Sequence, residues 1–149
     1  MNEIRRADEK DTSRLAEIEI FNYRLNFYPI FQNDEFYFGD LQVGSRMQEY
    51  LTAPTLLATT YVYDDGVVKG FIRLKGTEVE KLFVEPVLQG QGIGEKLLAF
   101  AVRDKQADHL WALEKNARAI RFYERNGFHP SGERKLEEDT DEYLLLMVR

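Results

Sequence analysis

The stretch VEPVLQGQGIGEKLLAFAV, Val84 to Val102, sets Gly90, Gly92 and Gly94 between an apolar run that reads as a strand and another that reads as a helix. Glycine loses more freedom on folding than any other residue. It is kept where a backbone turns with positive φ or must let something approach closely. A strand that runs through glycines into a helix N-terminus points free backbone N–H groups and the positive end of the helix dipole at one place, which suits an anion. The same glycines also suit a tight turn and helix start that bind nothing. Two nucleotide patterns fail: G-x-G-x-x-G would need Gly or Ala where Glu95 stands, and the phosphate loop needs Gly before Lys96 and Ser or Thr after it.

Downstream, Ile93, Leu97 and Ala101, joined by Leu98 and Val102, give an apolar stripe of helical period. HLWALE then reads as a strand, NARAIRFYERN as a helix stopped by Gly127, FHP as the start of another strand and EYLLLMVR as the last. Upstream, TLLATTYVY (Thr55 to Tyr63), VVKGFIRL and TEVEKLFV (Thr77 to Val84) read as an antiparallel meander turning at Asp64–Gly66 and at Gly76. The chain is expected to open with a strand at Glu3 to Arg6 and a helix capped by Asp8 or Asp11. Leu15, Ile18, Asn22 and Leu25 lie along one side of that helix, and Pro29 interrupts it. A further helix is expected from Asp40 to Leu51. Eight aromatic residues crowd the interval from Phe21 to Phe38.

With 149 residues, 44% hydrophobic and 31% charged, the chain fits one globular domain spanning residues 1–149. It has no cysteine, which removes disulfides, thiolate nucleophiles and sulfur-ligated zinc. His109 and His129 have no partner at metal-ligand spacing, so no metal site is expected. No apolar run is long enough for a membrane span or a signal peptide, which makes a cytoplasmic location the expectation. A net charge of −6 argues against nucleic acid as partner.

Gln89, Gly92 and Gly94 fit the pattern Gln/Arg-x-x-Gly-x-Gly/Ala. Asn116, Ala119, Phe122, Tyr123, Gly127 and Phe128 form a second spaced segment. Together they resemble the signature segments of the Gcn5-related N-acetyltransferase (GNAT) family, from about Val62 to Phe128, and the likeness fades in the first fifty residues. The resemblance implies an α/β (α+β) fold: a mixed, mainly antiparallel sheet, helices on both faces, and a splayed strand pair forming an acyl-CoA cleft. It implies acetyl-CoA as co-substrate and no metal. The pyrophosphate would be held by backbone N–H groups of Gln89, Gly90, Gln91, Gly92, Ile93 and Gly94, and the pantetheine arm by the backbone of Leu82, Phe83 and Val84. Lys96 is a candidate for an added phosphate contact, or an exposed solubilising lysine. Asn116 is a candidate cofactor ligand and equally a helix N-cap.

Acetyl transfer to an amine of pKa about 10 requires that the nucleophile lose a proton. Glu78 and Glu80 share one face of their strand and are the candidate bases; a solvated strand face explains the same spacing. Glu78 matches the base position of the resembled family, and Glu80 lies nearer the thioester end. A backbone N–H near Val84 would receive the oxyanion. Tyr123, seven residues after Asn116 on the same helix, is the candidate proton donor to the leaving thiolate; its alternative is a core aromatic. The aromatic segment falls where the resembled family roofs its amine acceptor. The expected function is acetyl transfer to a primary amine of a small molecule or peptide, and the alternative is an acyl-CoA-binding module without turnover. An exposed edge near the final strands leaves a homodimer open.

Overall fold

The computed structural model describes residues 3–149. Its strands are β1 (Ile4–Arg6), β2 (Thr60–Asp64), β3 (Val68–Lys75), β4 (Glu78–Val84), β5 (His109–Leu113), β6 (His129–Leu136) and β7 (Tyr143–Val148). They form one sheet in the order β1-β2-β3-β4-β5-β7-β6. Only β4 and β5 run parallel; every other neighbouring pair is antiparallel. The mixed sheet, the meander β2 to β4 and the closing strands are thus as the sequence indicates.

The helices are α1 (Thr12–Asn22), α2 (Tyr28–Phe31), α3 (Val43–Thr52), α4 (Pro54–Ala58), α5 (Ile93–Lys105) and α6 (Ala117–Arg125). Alternation along β3 sends Ile72 and Leu74 to one side and Phe71 to the other. On the first side they meet Ile93, Leu97, Leu98 and Ala101 of α5, with Ile120, Phe122 and Tyr123 of α6 packed against that group. On the second, Phe71 and Val62 meet Leu15 and Ile18 of α1 and Tyr50 of α3. Leu97 is fully buried, and cutting it to alanine is expected to cost about 2–5 kcal/mol.

The N-terminal third departs from its sequence reading at several points. Asp8 is the cap and Asp11 closes its capping box: the Asp8 side chain accepts from Lys10 N–H at 3.0 Å, and the Asp11 side chain accepts from Asp8 N–H at 2.9 Å. Beyond α1 the chain keeps turning with wider pitch, Tyr28 N–H bonding to Tyr23 C=O and, later, Leu41 N–H to Phe36 C=O at 2.9 Å. The extra residue in that turn rotates Leu25 out of the apolar stripe, so it is exposed, while Leu15, Ile18 and Asn22 are buried. Pro29 does not interrupt the helix; it sits in the first turn of α2, where its missing N–H is not needed. Pro54 opens α4 in the same way, so the expected strand from Thr55 begins only at Thr60. The aromatic segment folds largely on itself: Tyr23, Phe27, Tyr28, Phe31 and Phe36 surround buried Tyr37 and Leu41.

Candidate active site

β4 and β5 pair at only two positions, Glu78 with His109 and Val79 with Leu110. Beyond them the strands part, while β4 stays paired to β3 as far as Val84 and β5 to β7 as far as Leu113. The parting coincides with a bulge. Arg73 faces Lys81 but Leu74 faces Val79, which leaves Glu80 as an extra residue on β4; such an insertion bends a strand and breaks its ladder.

The ladder phase decides which groups line the opening. Glu85 N–H bonds to Lys69 C=O at 2.9 Å, and bonded pairs alternate along an antiparallel ladder, so Phe83 and Lys81 direct their backbones to β3. Leu82 and Val84 therefore turn N–H and C=O to the open edge. Of the three strand residues suggested for pantetheine, two offer backbone groups to the cleft and Phe83 does not. Its ring packs instead near Tyr23, Phe27 and Phe71.

The glycine loop follows a tight turn, Pro86–Leu88, in which Gln89 N–H bonds back to Pro86 C=O at 3.3 Å. Gly90 and Gly92 both have φ of +85°, with nothing within 4 Å of where a Cβ would stand; the left-handed backbone, not crowding, selects glycine there. Gly94 is glycine for a different reason, since a Cβ would lie 3.3 Å from Phe122 of α6. The first bond of α5 runs from Lys96 N–H to Gly92 C=O at 3.1 Å. Among the described residues no acceptor takes the amides of Gly90 through Glu95. Lys96 is not brought to this point. Its ammonium lies 5.7 Å from the Tyr63 ring on β2, which is separated from β4 by β3, on the side away from β5.

Asn116 caps α6, its side-chain oxygen accepting from Ala119 N–H at 3.2 Å, so the N-cap reading is realised while its amide NH2 stays available. At the other end Gly127 N–H bonds to Glu124 C=O and Phe128 N–H to Tyr123 C=O, a paired helix stop that needs Gly127's φ of +93°. The stop sets the Phe128 ring 6.1 Å from the ring of Tyr123. Tyr123 is half-buried, its hydroxyl has no hydrogen-bond partner among the described residues, and burial pushes its phenol well above the ordinary value of 10.0. It packs against the core, yet keeps a proton to give.

Glu80 accepts from Arg73 Nε at 2.8 Å at the head of the opening. Glu78 lies one step back in the paired part, 3.8 Å from the His109 ring. A cluster that the sequence reading overlooked adjoins them. Glu19 of α1, 1% exposed, takes Lys81 Nζ at 2.5 Å and Arg46 Nε at 3.2 Å; Lys81 also donates to the Tyr23 hydroxyl at 2.6 Å. Burial pulls the Lys81 ammonium below 10.5 against the opposing pull of Glu19, and it pushes the Tyr23 phenol up. The available signal was a glutamate set between Ile18 and Ile20 on α1. No group of three or more His, Cys, Asp or Glu able to hold a metal occurs among the described residues, and no helix is long and apolar enough to cross a membrane.

The profile of the acetyltransferase (GNAT) domain matches residues 57–130. Over 94 residues the chain is 32% identical to the peptidyl-lysine N-acetyltransferase YjaB of Salmonella typhimurium, a match spanning 63% of this chain and 63% of that protein's length. Over 137 residues it is 31% identical to an uncharacterized N-acetyltransferase of Archaeoglobus fulgidus, covering 81% of this chain and 88% of that one. PaiA N-acetyltransferase from Thermoplasma acidophilum, solved in complex with coenzyme A, shares the fold over all of both chains, with a TM-score of 0.70 and 20% identity. The chain belongs to the GNAT family of acetyltransferases. The curated relatives it matches are named N-acetyltransferases, and the chain spans less than two thirds of the length of the Salmonella one.

Proposed function

We propose that the protein transfers acetyl from acetyl-CoA to a primary amine by direct attack within a ternary complex. One observation carries this reading: the open edge of β4 at Leu82 and Val84 leads into the unbonded amides of Gly90 to Glu95. A pantetheine arm pairs with that edge as an added half-strand would. Its diphosphate meets the loop amides and the positive end of α5. Asn116 offers its free amide from the opposite wall. The thioester then falls where β4 and β5 part, beside Glu80.

The incoming ammonium gives a proton to Glu80, or through water to Glu78, and its nitrogen attacks the thioester carbon. The outward N–H groups of Leu82 and Val84 are the donors available to the oxyanion. As the intermediate collapses, the C–S bond breaks, the Tyr123 phenol protonates the departing thiolate, and the second proton of the attacking nitrogen returns to the phenolate through solvent. An ordinary phenol is already protonated at neutral pH, so the donor is loaded; burial raises it further, which makes it a weaker acid toward the thiolate. With no cysteine in the chain, direct transfer is favoured over a thioester-linked enzyme intermediate.

The acceptor panel should contain a lysine peptide, because the Salmonella relative is named for that acceptor, together with polyamines, amino acids, an aminoglycoside and a free peptide N-terminus. Incubation with acetyl-CoA is expected to release free thiol and add one acetyl mass to at least one amine. Coenzyme A binding with no thiol release from any amine would overturn the enzyme reading in favour of a binding module.

A further inference from the structure

Asn22, the last residue of α1, is polar yet only 2% exposed. Its Nδ2 donates to Ile18 C=O at 2.8 Å and to Val84 C=O at 2.9 Å. Its Oδ1 accepts from Gln89 Nε2 at 3.1 Å and from Asn26 Nδ2 at 3.3 Å. The orientation of the amide is dictated by its neighbours, since two carbonyls can only accept and two amide NH2 groups can only donate. Gln89 Nε2 also donates to Val84 C=O, at 3.2 Å. The outward carbonyl that ends β4 is thus shared by two side-chain amides, and both hydrogens of the Gln89 NH2 are engaged.

This has a chemical consequence for the signature glutamine. Its side chain has only those two donors, both turned inward, and its remaining oxygen would repel an anion. We propose that Asn22 is a positioning residue for the cofactor loop: it holds the Gln89 side chain against the end of β4 and so fixes where the amides of Gly90 to Glu95 point. Gln89 then serves the diphosphate through the loop it anchors and not through its own amide. The latch also fills Val84 C=O, leaving Leu82 N–H, Leu82 C=O and Val84 N–H as the edge open to pantetheine. This inference rests on the reading of the loop as the coenzyme A site.

A double-mutant cycle on coenzyme A affinity, measured by calorimetry for Asn22→Ala, Gln89→Met and the double variant, tests it. Each single change is expected to weaken binding about tenfold, and the double change no further, because either one opens the same latch. Ile18→Val, a conservative trim in the same helix turn, is the control. It is expected to lower the unfolding midpoint without moving the coenzyme A Kd. Should Asn22→Ala fail to fold, Asn22→Ser completes the cycle. Losses that multiply to about a hundredfold, or a loss with Gln89→Met alone, would show Gln89 acting directly on the ligand and overturn the proposal. Absence of coenzyme A binding by the unaltered protein would overturn the loop reading and the latch with it. Normal binding by every variant would overturn the latch alone.

Discussion

The two faces of the sheet bury different chemistry. Under α5 and α6 the core is uncharged, with Leu97, Leu98, Leu110, Met147, Tyr63 and Phe128 in one continuous group. Under α1 and α3 the sheet also buries a linked set of charges and phenols, Glu19, Lys81, Arg46, Arg73, Tyr23 and Tyr50. The first face is a rigid seat for the glycine loop and the Tyr123 helix. The second places polar groups at the bulge where β4 leaves β5. Apolar packing tolerates small trims, whereas a buried charge stripped of its partner has no such tolerance.

That contrast breaks most sharply at Glu19. Glu19→Ala leaves Lys81 and Arg46 partly buried without their shared counter-charge and is expected to destabilise by about 3–5 kcal/mol in denaturant unfolding. Replacing Glu19 and Lys81 together by methionine is expected to recover much of that loss. Next, Tyr123→Phe keeps the ring packed against Phe128 and removes only the hydroxyl. It is expected to lower kcat about a hundredfold, with coenzyme A affinity within about twofold.

These two sites also differ in how far the sequence exposed them. Tyr123, Gly127 and Phe128 were legible because helix stop and ring placement depend on spacing within one short segment. The glycines were legible for the same reason, although one spacing concealed two causes: left-handed backbone at Gly90 and Gly92, contact with Phe122 at Gly94. The Glu19–Lys81 pair joins residues 62 positions apart, and the bulge that turns Glu80 and Lys81 toward α1 and α3 depends on register with β3. Neither is written in local periodicity. Leu25 and Thr55–Ala58 were misread because a wide helical turn and a proline-opened helix overrode periodicity and β-propensity.

Smaller effects sharpen the same contrast. Gly127→Ala meets no close neighbour, its nearest contact being Arg149 at 3.5 Å. The expected cost of about 1–2 kcal/mol comes from the left-handed backbone alone and is read as a lowered unfolding midpoint. Alkaline titration reaches both faces at once. Burial raises the phenols of Tyr23, Tyr50 and Tyr123 above 10.0, so above that pH the unfolded chain releases these protons while the fold retains them. The stability they leave intact below pH 10.0 is expected to fall as the pH climbs toward the raised values. Unfolding midpoints followed beside phenolate absorbance check this. Ionisation well before unfolding would contradict it.

The central claim concerns which main-chain amides face the cofactor, and adjacent residues of β4 make opposite predictions. In an amide-resolved NMR titration with coenzyme A, the N–H resonances of Leu82, Val84 and Gly90 to Glu95 are expected to move most, while those of Lys81 and Phe83, bonded to β3, stay nearly fixed. Shifts confined to other elements, or equal shifts at Phe83 and its two neighbours, would contradict the account.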